Sequence, residues 1–154
     1  MAADVTKTVT VAANARMTIA VHALTWLALA QQRGREVLTS DEVAASVNTN
    51  PVILRRSLGD LRRAGLVSVR HGTGAGWTLA REPGRITLCD VYDAISGEDP
   101  VFAMHHTEPN LECPVGRGIR PALGPVYDGI TAAMRGEMAR TSIADLLTTS
   151  LEVR

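Results

Sequence analysis

Aromatic side chains are nearly missing from this chain, at 3% of its residues. Its interior must therefore be built from Leu, Val, Ile, Ala and Met, and a 45% hydrophobic content is enough to build one. Cysteine is scarce too. Cys89 and Cys113 are too few for a disulfide framework and have no CxxC spacing. A chain like this suits a reducing cytoplasm. No charged leader runs into an apolar stretch, and no apolar run approaches the ~18 residues of a membrane span. Secretion, membrane insertion and a membrane partner are not expected. Net charge is also lacking: 16 Lys and Arg balance 16 Asp and Glu. There is no internal repeat, no low-complexity tract, and no HExxH, GxSxG or Walker pattern. Gly72, Gly74 and Gly76 do not make a phosphate loop, because strand-like segments flank them and no Lys-Ser/Thr follows. With enzyme signatures and metal-ligand clusters both missing, neither catalysis nor a metal site is expected.

What is present is a local charge imbalance. From Pro51 to Gly72 there are five arginines (Arg55, Arg56, Arg62, Arg63 and Arg70) against one acid, Asp60. From Thr73 to Pro100 two arginines face five acids. A basic block inside a neutral chain is a local electrostatic footprint, or else merely a solvated helix face.

The elements around that block choose between the two. Residues 1–13 are small and β-branched and read as an arm or a short edge strand. A helix is expected over Asn14–Gln32, with apolar residues around most of its circumference, and so buried on several sides. Thr39 and Glu42 form a capping box for a short helix to about Val47. Asn48-Thr49-Asn50-Pro51 is a tight turn, in which Asn50 or Thr49 can cap a helix starting at Pro51 and stopping at Gly65. Leu54, Leu58 and Leu61 share one face of it, Arg55 and Arg62 lie on a flank, and Arg56 and Arg63 point away from the core. Leu66–Arg70 and Trp77–Ala80 alternate as strands around a glycine-rich tip, which makes a hairpin. A helix over Thr87–Ser96 follows, then a loop holding His105, His106 and Cys113. A long helix from Pro121 carries Leu123, Val126, Tyr127, Ile130, Met134 and Met138 at spacings of three and four. Ser142 and Asp145 cap a last short helix through Leu147.

This order is that of a winged helix-turn-helix: a mainly α fold with a small β-hairpin wing, followed by a long C-terminal helix. Residues 14–82 form the DNA-binding domain, and 83–154 hold the helix, loop and dimerisation helix. A helix enters the major groove when its outer face offers donors to phosphates and base edges. Phosphate contacts are expected from Arg55, Arg62 and Arg70, and base contacts from Thr49, Asn50, Val52 and Arg56. His71 stands beside Arg70 at the wing. Arg62 and Arg63 also complement the helix dipole. The long stripe leaves too much apolar surface for a monomer, which points to a homodimer on double-stranded DNA.

The stretch SVNTNPVILRRSLGDLRRAGLV (Ser46–Val67), the wing after it and ITLCDVYDAI (Ile86–Ile95) resemble the Rrf2 family of bacterial transcription regulators. ARMTIAVHALTWLALA (Ala15–Ala30) is similar to that family's first helix, and CPVG (Cys113–Gly116) to one branch of it. The resemblance implies a homodimeric repressor or dual regulator. It also implies that some members hold an iron–sulfur cluster on three cysteines of the loop that here holds only Cys113. One thiolate cannot hold such a cluster, so no cofactor is expected. His71 occupies a wing position where many members have arginine.

Cys113 keeps two readings of equal weight, a sensor of oxidants, electrophiles or another small-molecule signal, and a structural loop residue. A mononuclear metal with His105 and His106 stands well behind both. Cys89 reads as a small core hydrophobe, and its pairing with Cys113 depends on geometry. Two other functions differ in kind: a thiol-dependent enzyme using Cys113 with a histidine base, and an interaction module with a degenerate winged helix.

Overall fold

The computed structural model describes the backbone of residues 4–153 and the side chains of residues 15–153. Along the chain run α1 (Asp4–Gln32), α2 (Ser40–Val47), α3 (Pro51–Arg63), β1 (Val67–Arg70), β2 (Gly76–Leu79), a 3-10 turn (Pro83–Arg85), α4 (Leu88–Ser96), α5 (Pro114–Ala139) and α6 (Ile143–Glu152). The fold is mainly helical with a two-stranded hairpin, as the residue pattern predicts.

Helix α1 is the spine. Ala20, Ala23, Leu24, Leu27, Ala28 and Ala30 are buried, and Met17, Ile19, Val21, Trp26 and Leu29 pack partly against the same core. Four helices, α2, α3, α4 and α6, and strand β2 lie against it. The alanines let their backbones come close, which is why this helix shows little one-sided patterning. It also starts earlier than expected. The arm or edge strand read over residues 1–13 is helical from Asp4, and residues 1–3 lie outside the described residues. Extending an existing helix avoids the cost of nucleation, so threonine and valine are tolerated there despite their weaker propensity.

Three helices begin with reciprocal caps. The Thr39, Thr87 and Ser142 hydroxyls each accept the N3 backbone N–H, and the Glu42, Asp90 and Asp145 carboxylates accept the N-cap N–H. The last two boxes are joined. Thr87 and Ser142 form an antiparallel bridge, with Leu88 N–H donating to Thr141 and Ile143 N–H donating to Ile86. Helix α6 runs on to Glu152, five residues past the expected end at Leu147, with Ile143 and Leu147 buried against the core.

The expected start of the long helix at Pro121 needs correcting. Helix α5 begins at Pro114, so Pro121 and Pro125 are interior. Proline at the first helical position loses no hydrogen bond, and Cys113, extended at φ −75° and ψ 126°, serves as the N-cap. Within the helix, the two interior prolines leave the carbonyls of residues 117 and 121 without their usual N–H partners. Proline is favoured at the first helical position, so Pro121 reads as a start although the helix already runs from Pro114. Gly116 has its own reason: a β-carbon there would meet the Asn110 carbonyl at 2.2 Å.

None of α5 is fully buried. It leans on α4, where Arg135 grips Asp93 with two hydrogen bonds of 2.5 and 2.9 Å, and Phe102 of the preceding loop stacks on Tyr127 at 5.0 Å. Val126 and Ile130 are 54% and 43% exposed, while Met134 and Met138 turn toward α4 and α1. Among the described residues, no helix is long and apolar enough to cross a membrane.

Candidate nucleic-acid interface

Helices α2 and α3 meet at the Asn48-Thr49-Asn50 turn. Asn48 adopts the left-handed conformation (φ 56°, ψ 49°), and both its N–H and that of Thr49 donate to the Ala44 carbonyl. Asparagine tolerates that conformation better than most side chains. Asn50 then caps α3: its Oδ1 accepts the Val52 N–H at 2.8 Å. One side-chain oxygen of the expected base reader is thus committed to the helix, which leaves its amide NH₂ as the outward donor. Gly65, at φ 74°, ends the helix.

The buried face of α3 is Leu54, Ser57, Leu58 and Leu61. On the far side lies the row Val52, Arg56, Gly59 and Arg63, at intervals of four, three and four. Val52 is 65% exposed, and Gly59 leaves the middle of that row without a side chain. Arg55 and Arg62 form the flank, with Arg55 Nε donating to the Pro51 carbonyl at 3.3 Å.

The block's single acid is neutralised from both sides. Asp60 pairs with Arg16 of α1 through one oxygen and with Arg63 through the other. Arg55, Arg56 and Arg62 are all exposed, and none has an acidic partner among the described residues. Three free guanidinium groups therefore line one exposed helix with no acid left to offset them. Arginine suits this surface because it stays charged and presents a fixed fork of donors.

The wing is antiparallel, with Val67 opposite Leu79 and Arg70 opposite Gly76. It is anchored by a feature the sequence pattern did not reveal: Leu38, just before α2, bridges Trp77 with N–H···O bonds of 3.0 and 2.7 Å. Gly76 is required at that contact, because a β-carbon would lie 2.6 Å from the Leu38 carbonyl. Arg70 is not free: it pairs with Glu36 at 3.1 Å, so a phosphate would have to displace that carboxylate. His71 is exposed at the tip. Arg81 and Arg85 are exposed beyond the wing and add two cations outside the helix-turn-helix.

The loop before α5 carries different chemistry. Asn110 organises it: its Oδ1 accepts the Glu112 N–H, and its carbonyl accepts the Cys113 N–H. Arg120 ties the loop back by donating to the His105 and Thr107 carbonyls at 2.8 and 3.1 Å. Cys113 is exposed, Cys89 is half-buried on α4, and both are free thiols. Among the described residues, no group of three or more His, Cys, Asp or Glu side chains is placed to hold a metal ion. An iron–sulfur cluster needs about four ligands, mostly thiolates, so this donor set does not fit one.

Comparison with known proteins agrees with the geometry. Residues 13–149 match the model of the Rrf2 family, described as "Iron-dependent Transcriptional regulator". The chain is 34% identical over 134 residues to YwnA of Bacillus subtilis, which bears the name of an HTH-type transcriptional regulator. That match covers 87% of this chain and 96% of YwnA. It is 30% identical over 128 residues to the HTH-type transcriptional regulator IscR of Cereibacter sphaeroides, covering 83% of this chain and 81% of IscR. These relatives are named as regulators, not enzymes. The fold matches the crystal structure of Staphylococcus aureus CymR, with a TM-score of 0.64 at 19% identity over 86% of this chain and 95% of that one. The chain belongs to the Rrf2 family and is a DNA-binding transcriptional regulator with a winged helix-turn-helix fold.

Proposed function

We propose that this regulator is a cytoplasmic homodimeric repressor that works without a bound cofactor, and that oxidants or electrophiles release it from DNA through Cys113. The observation that carries the DNA contact is that Arg55, Arg56 and Arg62 of α3 are exposed with no acidic partner among the described residues, beyond a turn whose caps fix the helix in place. Arg55 and Arg62 contact phosphates, joined by Arg70 once Glu36 is displaced and by His71 at the wing tip. Thr49, Asn50, Val52 and Arg56 reach base edges. The dimer reading rests on α5. Along its stripe Leu123 and Tyr127 are only half-buried, Tyr127 under Phe102, and Val126 and Ile130 stay exposed, and a twofold axis would set two α3 helices on successive major grooves.

Cys113 sits exposed at the N-terminus of α5, where an oxidant can reach its sulfur. Peroxide would transfer one oxygen to that sulfur, giving a sulfenic acid with release of water, and the sulfur would lose two electrons. Titration of the purified protein against its own upstream DNA and against random DNA tests the central reading. Specific binding with a steep salt dependence is expected, and equal, salt-insensitive binding would refute it. Cys113→Ser should abolish peroxide-induced release while leaving binding intact.

A further inference from the structure

A second site lies away from the DNA face. Helices α1, α4 and α5 enclose a cleft of about 430 Å³, within the roughly 300–1,000 Å³ range of small-molecule sites. Its walls are largely apolar: Met17, Ile95, Val101, Met134 and Met138. Two opposite charges interrupt them. Arg16 comes from α1, and Asp99 from the turn after α4. Arg16 uses one nitrogen, Nη2, to hold Asp60, and its Nε is buried with no hydrogen-bond partner among the described residues. Asp99 has no cationic partner among the described residues. The hydroxyls of Tyr92 and Ser96 lie on the same lining.

We infer that this cleft binds a small zwitterion with an apolar body, of the α-amino acid class. A purely apolar ligand would leave both charges unmatched. A simple carboxylate would suit Arg16 but would meet the charge of Asp99, and a simple amine would do the reverse. A zwitterion matches both, since charge-assisted pairs in a partly dry cleft are the stronger kind of hydrogen bond. The three methionines provide flexible walls that adapt to an unbranched side chain.

The cleft also reaches the DNA face, in a step that rests on reading α3 as the DNA-contacting helix. Arg16 links the cleft wall to α3 by an ion pair with Asp60. A ligand carboxylate at Arg16 would compete with Asp60 for the guanidinium. Asp60 would then be held by Arg63 alone, and α3 would keep its apolar packing on α1 but lose the ion pair between them. Ligand and DNA would thus bias one ion pair, as thermodynamic coupling requires.

Calorimetry on the full chain without DNA tests binding apart from regulation. The probes are L-norleucine, hexanoate (the same body without the ammonium) and n-pentylamine (without the carboxylate). Saturable norleucine binding is expected, with each truncated probe at least about tenfold weaker. Asp99→Asn, an exposed change that spares the core, should weaken norleucine at least about tenfold and improve hexanoate. Met134→Trp should fill the cleft and abolish binding, with circular dichroism confirming the fold. The inference is overturned if apolar amino acids give no saturable heat up to about 10 mM, the weak end of specific affinity. It is equally overturned if hexanoate binds as well as norleucine, or if neither variant changes the titration. A parallel DNA titration with and without norleucine reads the coupling alone. An unchanged DNA affinity there would refute the coupling but not the site.

Discussion

At the scale of single residues, α3 separates stability from recognition. Ser57 is fully buried on its inner face, and its hydroxyl has no hydrogen-bond partner among the described residues. A buried unsatisfied hydroxyl costs on the order of 1–3 kcal/mol, so Ser57→Ala should raise the thermal midpoint and leave DNA binding unchanged. A lower midpoint would show that the hydroxyl has a partner in solution. Leu58→Ala, on the same face, should destabilise by roughly 2–5 kcal/mol in chemical denaturation. On the outer face, Arg56→Ala should relax operator preference at one position, whereas Arg62→Ala should weaken all sequences alike and reduce the salt slope by about one. Quantitative titrations over several salt concentrations distinguish the two. The arginine row was legible in the sequence because it follows helical periodicity. The partners of Asp60, Arg16 and Arg63, were not fully legible: Arg63 lies three residues away on the same helix, but Arg16 lies 44 residues away on another. No local signal can announce that contact. Arg70's pairing with Glu36 escaped for the same reason, 34 residues apart.

Among the elements, locally capped helix starts were easier to read than boundaries set by packing. Thr39 and Ser142 cap as their spacing predicts, and Thr87, expected as the first helical residue, caps α4 in the same way, because capping is local chemistry three residues long. The boundaries that moved are those of α1, α5 and α6, which tertiary packing and proline placement decide. The boxes also set an acid limit. The Thr39 backbone N–H and the Arg35 side chain hold the Glu42 carboxyl below its ordinary value of 4.5, and the Ser142 backbone N–H holds Asp145 below 3.8. Both groups have lowered folded-state values. Their contribution is therefore complete above those ordinary values and is lost as pH falls through the lower folded-state ones. Melting curves should hold level for these groups down to about pH 5 and then fall, and Glu42→Gln should make that fall shallower. Thr39→Ala should cost ~1 kcal/mol at neutral pH.

For the molecule as a whole, the sequence pattern conveyed the winged helix and a separate long helix, because the hydrophobic period and turn chemistry each repeat clearly. It did not convey how α5 meets the rest, since an exposed stripe and a buried one share the same period. If the proposed dimer forms through that stripe, Ile130→Asp should halve the mass seen by sedimentation while far-ultraviolet dichroism is kept, and an unchanged mass would refute it. The joined caps of α4 and α6 carry one more implication. The chain leaves the body at the end of α4, at Gly97, and returns at Thr141, beside the start of α4. Everything between is an excursion whose two ends are separated by one short helix, about 13 Å at 1.5 Å per residue. A glycine linker of a few residues spans that distance. Closing such a short loop costs little entropy, so excising residues 98–139 should leave a folded monomer that still binds a half-site weakly. Such a module gains, loses or exchanges the proposed dimerisation helix without relearning how to read DNA.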